Sequence, residues 1–122
     1  MGKRVLVIED EPNIIEAISF FLSRDGWEVF THSNGHDALE VVDRRVPDLV
    51  ILDVMLPGRS GYEILRDLRA CDKWSALPVL ILTARGQAKD RDMAKAAGAN
   101  RFMTKPFSNN DILEAVRELA RP

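Results

Sequence analysis

The sequence predicts an open α/β sandwich built on a parallel sheet, and three observations carry that expectation. Strand and helix patterns alternate five times along the 122 residues, the arrangement of successive βα units. The runs Val5-Leu6-Val7-Ile8, Leu49-Val50-Ile51-Leu52 and Val79-Leu80-Ile81-Leu82 are continuously apolar, as strands buried on both faces of a parallel sheet must be. Each run ends in a polar residue: Glu9-Asp10-Glu11, Asp53 and Thr83, with Phe102-Met103-Thr104 leading to Lys105-Pro106. In a parallel sheet the carboxyl ends of all strands lie along one edge, so these endings are expected to meet.

The elements follow in order. After the first strand, Pro12 suits the first turn of a helix, and Ile14, Ala17, Ile18, Phe21 and Leu22 recur at helical spacing to make its apolar face. Asp25-Gly26 ends it, and Trp27 to Thr31 alternates as a second strand. Asn34-Gly35 turns the chain into a helix carrying Ala38, Leu39, Val41 and Val42. Pro47-Asp48 opens the third strand, followed by the loop Leu56 to Gly61 and a helix with Ile64, Leu65 and Leu68 inward, to about Ala70. Pro78 precedes the fourth strand, where its missing N–H does least harm. The helix from Gln87 to Ala97 is weak, with only Met93, Ala96 and Ala97 offering a core face, and Gly98 supplies its C-terminal cap. Asn100 to Thr104 forms the fifth strand. Ser108 caps the last helix with Asp111 in its first turn, and Ile112, Leu113, Val116 and Leu119 bury it.

Composition narrows the class. Apolar residues are 46% and charged residues 30% of the chain, with a net charge of −2, as in a soluble single domain able to bury roughly two-thirds of its unfolded surface. One domain over residues 1–122 is expected, with Ala120-Arg121-Pro122 as the place where a linker would begin in a longer parent. No stretch approaches the ~20 apolar residues of a membrane span, and Met1-Gly2-Lys3-Arg4 leads into a strand rather than a signal sequence. Cys71 is the single cysteine, which fits a reducing cytoplasm. His32, His36 and Cys71 lack zinc-ligand spacing, and no block of Lys and Arg favours nucleic acid.

The strand endings suggest phosphoryl chemistry. Mg²⁺ takes one or two carboxylates plus waters and phosphate oxygens. Asp10 and Asp53 can supply the carboxylates, and Glu9 can hold a metal-bound water. Crowding these acids without a cation costs free energy and raises at least one pKa. Asp53 suits a nucleophile towards phosphorus, Lys105 offsets charge on the transferring group, and Thr83 donates a hydrogen bond to it. Glu11 reads more simply as a cap of the following helix. Lys105 before Pro106 is more specific than a lone lysine, because an X-Pro bond can be cis and fix the preceding side chain.

Taken together, Val5 to Pro12, Asp53-Val54-Met55-Leu56-Pro57-Gly58 with Gly61, Leu82-Thr83-Ala84, and Gly98-Ala99 through Phe102 to Lys105-Pro106-Phe107 resemble the receiver (CheY-like) domain of two-component response regulators. The resemblance covers essentially the whole chain. It implies a flavodoxin-like (βα)5 three-layer sandwich with strand order 2-1-3-4-5. It implies that Asp53 accepts a phosphoryl group from a histidine kinase or phosphotransfer protein, with Mg²⁺ held by Asp10, Asp53 and the Met55 carbonyl. It also implies that Lys105 and Thr83 bind the phosphoryl group, that the Lys105-Pro106 bond is cis, and that Thr83 and an aromatic at Phe102 form the switch. Phe102 lacks the polar tip of a tyrosine, so an inward position is expected even before phosphorylation. The weak fourth helix suits a moving part, and the output face is expected at helix 4, strand 5 and helix 5.

Departures and rivals complete the reading. Receivers of winged-helix transcription factors commonly carry Gly-Ala-Asp-Asp-Tyr before the lysine and an Arg in the last helix. This chain has Gly98-Ala99-Asn100-Arg101-Phe102, with Ala115 near the helix position, so a monomer or a differently built, weak dimer is expected. A haloacid-dehalogenase-type phosphatase needs a second Asp two residues after its nucleophile on the first strand, which Asp10-Glu11-Pro12 lacks. A flavodoxin would not place Glu9-Asp10-Glu11 where its phosphate loop lies. A nucleotide binder would show Gly-x-Gly-x-x-Gly or Gly-Lys-Ser/Thr after a strand. A receiver-like module that is never phosphorylated would be expected to have lost Asp53, Lys105 or the acid pair. The expected role is a switch that holds a phosphoryl group briefly, not an enzyme of turnover.

Overall fold

Side chains alternate across a strand, so each apolar run feeds two cores at once. The computed structural model describes residues 3–84 and 86–120; the expectations for Met1-Gly2 and for Arg121-Pro122 lie outside the described residues. The elements are β1 (Arg4–Ile8), α1 (Pro12–Arg24), β2 (Glu28–His32), α2 (Ala38–Arg45), β3 (Leu49–Asp53), α3 (Gly61–Ala70), a 3-10 turn (Asp72–Trp74), β4 (Val79–Thr83), α4 (Ala88–Ala97), β5 (Arg101–Thr104) and α5 (Asn109–Leu119). The five strands pair in parallel in the order β2-β1-β3-β4-β5. Leu6, Ile8, Val50, Leu52, Val79 and Ile81 pack under α2, α3 and α4, while Val5, Val7, Leu49, Ile51, Leu80 and Leu82 pack under α1 and α5. This is the flavodoxin-like three-layer sandwich. No helix among the described residues is long and apolar enough to cross a membrane.

Several boundaries move for identifiable reasons. β2 runs from Glu28 to His32 because the His32 carbonyl accepts the Glu9 N–H at 2.9 Å, extending the ladder past Thr31. Trp27 is left to the turn, where its N–H closes on the Leu22 carbonyl. β5 starts at Arg101 rather than Asn100. The Asn100 side chain is committed elsewhere, its Oδ1 accepting from the Val79 N–H at 2.8 Å and from Arg69 Nη2 at 2.8 Å. Arg69 also donates to the carbonyls of Gly98 and Trp74, tying the end of α3 to the end of α4.

Three inward assignments and one outward one are corrected. Ala17 is exposed, and α1 buries Ile18, Phe21 and Leu22 instead. On α4, Met93 and Ala96 face outward, and the buried positions are Asp90, Ala94 and Ala97. That stripe at i, i+4 and i+7 is narrow enough for one buried carboxylate-bearing residue to escape a search for apolar residues. Ala115 is fully buried, so it cannot stand for a bridging position on an outer face. Gly98 (φ 102°) caps α4 in the left-handed conformation, and Ser108 with Asp111 forms a reciprocal capping box on α5, both as expected.

Candidate functional site

Strand register brings the polar endings together. Ile8 lies beside Leu52, Asp53 beside Leu82 and Thr83 beside Thr104, so residues following β1, β3, β4 and β5 share one edge. Glu9 is fully buried, Asp53 is 1% exposed and Thr83 2% exposed, while Asp10 is open to solvent. Glu9, Asp10 and Asp53 each offer a carboxylate oxygen, and these atoms lie within 4.8 Å of one another. Met55, two residues past Asp53, has its side chain in solvent.

Lys105 enters from β5. Its N–H donates to the Thr83 carbonyl at 2.7 Å, and the Lys105-Pro106 bond is cis. The ammonium lies 2.9 Å from Glu9 Oε1, 3.3 Å from Asp53 Oδ1 and 3.2 Å from Glu11 Oε1. Only the Glu11 contact has hydrogen-bond alignment. Glu9 Oε1 and Asp53 Oδ1 are therefore buried acceptors with charge contact but no hydrogen-bond donor. Glu9 Oε2 is cradled by the N–H groups of Asp10 and Glu11 at 3.1 and 3.2 Å.

The electrostatics follow from this crowding. Burial pushes the Glu9 carboxyl up to about 7, against the lowering pull of Lys105 and with a further raising contribution from Asp53. Burial also works against the charge on Lys105, but Glu9, Asp53 and Glu11 outweigh it and the lysine pKa is raised. The lysine stays charged, and two buried acids, Glu9 and Asp53, compete with the exposed Glu11 for one cation. Hard oxygen donors, two of them buried with unfilled acceptor capacity, fit a Mg²⁺-like ion.

Two contacts were not visible beforehand. Glu11 does not cap α1: its side chain makes no capping hydrogen bond and reaches Lys105 instead. Gly61 sits directly against the Asp53 carbonyl, where any Cβ would collide, and its N–H donates to Val54 at 3.0 Å. A third acid beside a single lysine was the available signal for Glu11; for Gly61 it was the motif after Asp53 in which the resemblance already placed it. Phe102 is half-buried against the core under α4, with the Arg91 guanidinium 5.7 Å from its ring centre. On the neighbouring surface Arg101 pairs within the chain with Glu118 at 2.6 Å.

With this geometry in place, comparison with known proteins gives a family. A family model for the response regulator receiver domain matches residues 5–117, and the chain belongs to that family. A chain from Chloroflexus aurantiacus J-10-fl, described as a response regulator, is 32% identical, with 99% of this chain and 100% of that one covered at a TM-score of 0.93. The BeF3-activated N-terminal receiver domain of Klebsiella pneumoniae RstA is 30% identical, covering 98% and 99% at 0.90. The chemotaxis protein CheY4 of Vibrio cholerae is 28% identical, covering 98% and 99% at 0.91. The chain is a receiver domain of two-component signalling.

Proposed function

We propose that this chain accepts a phosphoryl group on Asp53 from a histidine kinase or histidine phosphotransfer protein and relays its presence to an output partner or domain. The observation that carries the reading is the placement of the nearly buried Asp53 carboxylate 3.3 Å from the Lys105 ammonium, within the cluster formed with Glu9 and Asp10. In the transfer, an Asp53 oxygen bonds to phosphorus as the phosphorus–nitrogen bond of phosphohistidine breaks, and the imidazole leaves with the electron pair. Lys105 balances charge on the transferring group, and the Thr83 hydroxyl donates to one of its oxygens. Asp10, Asp53 and the Met55 carbonyl would hold Mg²⁺, with Glu9 taking a metal-bound water, and the ion would supply further positive charge towards the phosphoryl oxygens.

Phosphorylation adds roughly −1.5 to −2 charge and three acceptor oxygens at the sheet edge. Thr83 and Phe102 carry the change to the surface of α4, β5 and α5. The small buried stripe of α4 supports a moving role, and the BeF3-activated form of the Klebsiella relative supports an activatable site here. The chain assists phosphorylation and dephosphorylation of its own Asp53 and turns over no separate substrate; the cytoplasm is the compartment this role requires.

Incubation with acetyl phosphate and Mg²⁺, followed by intact-mass measurement, tests the reading. One labile phosphoryl group is expected on the unaltered chain and none on Asp53→Asn. An unmodified chain, or equal labelling of the variant, would overturn it.

A further inference from the structure

The turn Asn34-Gly35, which follows the end of β2 at His32, is built into the loop that follows Asp53. Gly35 is buried although it lies in the connection between β2 and α2. Its N–H donates to the Pro57 carbonyl at 2.9 Å. A Cβ on Gly35 would stand 2.6 Å from the Arg59 carbonyl oxygen and 3.1 Å from the Arg59 nitrogen, both backbone atoms with no free side-chain end to give way. Gly58 answers from the other side: at φ +88°, a Cβ there would lie 2.7 Å from Asn34 Oδ1. That same Oδ1 accepts the His36 N–H at 2.7 Å, closing a local turn. The two connections interlock glycine against backbone in both directions.

Both sides of the interlock are anchored. His32 Nε2 and Asp37 Oδ1 meet at 2.6 Å across the base of the β2–α2 connection, and Arg59 pairs with Asp67 on α3 at 2.5 Å. Val54 is pinned on the Asp53 side, its N–H donating to the Leu82 carbonyl and its carbonyl accepting from the Gly61 N–H, both at 3.0 Å, so Met55 and Leu56 span the gap between that anchor and Pro57. We propose that Gly35, with Asn34, is a positioning residue for the cation site: the interlock fixes Pro57, and through it the backbone of Met55 relative to Asp53. This inference rests on the metal reading given above. Groups that hold ligands in place rather than binding the ion typically change metal affinity by about 10–100-fold when altered.

Calorimetric titration of Mg²⁺ into the full chain tests it. Gly35→Ala should bind Mg²⁺ about tenfold or more weakly, because the added methyl must displace the Arg59 backbone. Asn34→Ala should weaken binding in the same direction and serves if Gly35→Ala does not fold. Gly26→Ala is the control: its φ of +95° strains an alanine, yet nothing lies within 4 Å of the added Cβ, so stability falls without touching the loop. Its Mg²⁺ affinity should match that of the unaltered chain. Unchanged affinity in the folded loop variants, or an equal loss in Gly26→Ala, overturns the positioning role alone. Failure of the unaltered chain to bind Mg²⁺ overturns the metal reading and this inference with it.

Discussion

Lys105 Nζ stands 2.9 Å from Glu9 Oε1, a carboxylate with no solvent exposure. The ammonium is the only cation within salt-bridge distance of the Glu9 and Asp53 carboxylates among the described residues. Removing one partner of a buried pair leaves an uncompensated charge. Lys105→Ala should therefore lose about 3 kcal/mol of stability in urea unfolding at neutral pH. The same substitution in an Asp53→Asn background should cost less, since one of the two buried charges is already gone. Equal losses in both backgrounds would show that Lys105 acts through its packing and not its charge.

A cation should relieve the same crowding from the other side. Mg²⁺ at ten times its dissociation constant should stabilise the chain by about 1.4 kcal/mol, read as a rise in melting temperature. The rise should shrink in Asp10→Asn. No shift in the unaltered chain would remove the metal from the account.

Phe102→Ala separates receiving the signal from passing it on. The ring lies against the α4 side of the core and outside the carboxylate cluster. Phosphorylation by acetyl phosphate should proceed at the unaltered rate, while the phosphorylation-induced change in amide exchange over α4 diminishes. Parallel loss of both would contradict this division of roles.

The strand order and the convergence of the site were legible because burial on two faces leaves a plain sequence record. Val50 to Leu52 and Val79 to Leu82 have no polar residue to interrupt them, and a parallel sheet then forces Asp53 and Thr83 onto one edge. Glu11 was misread because helix capping is a local expectation, whereas its partner Lys105 is 94 residues away. The inward face of α4 was misread for a related reason: Asp90 is buried next to Tyr62, whose hydroxyl donates to the Asp90 carbonyl at 3.3 Å. No apolar periodicity records that contact. Arg69, Asn100 and Gly35 likewise owe their roles to backbone groups brought near by the fold, and a backbone carbonyl has no letter in the sequence.

The tie between the first and last helices predicts a pH dependence. Arg117 of α5 donates to Asp25 at 2.5 Å, and that hydrogen bond holds the Asp25 carboxyl below its usual value of 3.8. A depressed folded-state pKa contributes stability above the unfolded value, lost as pH falls through the folded one. Asp25→Asn should lower the melting temperature at pH 7, and the difference should close as acid protonates Asp25 in the unaltered chain. A gap that persists undiminished in acid would assign the effect to packing.

Asp53 itself should carry the phosphoryl group. Borohydride reduces an aspartyl phosphate to homoserine, so peptide mapping after treatment with acetyl phosphate, Mg²⁺ and borohydride locates the acceptor. Homoserine at position 53 and nowhere else is the predicted result. Homoserine at position 10, or labelling without any homoserine, would contradict the account.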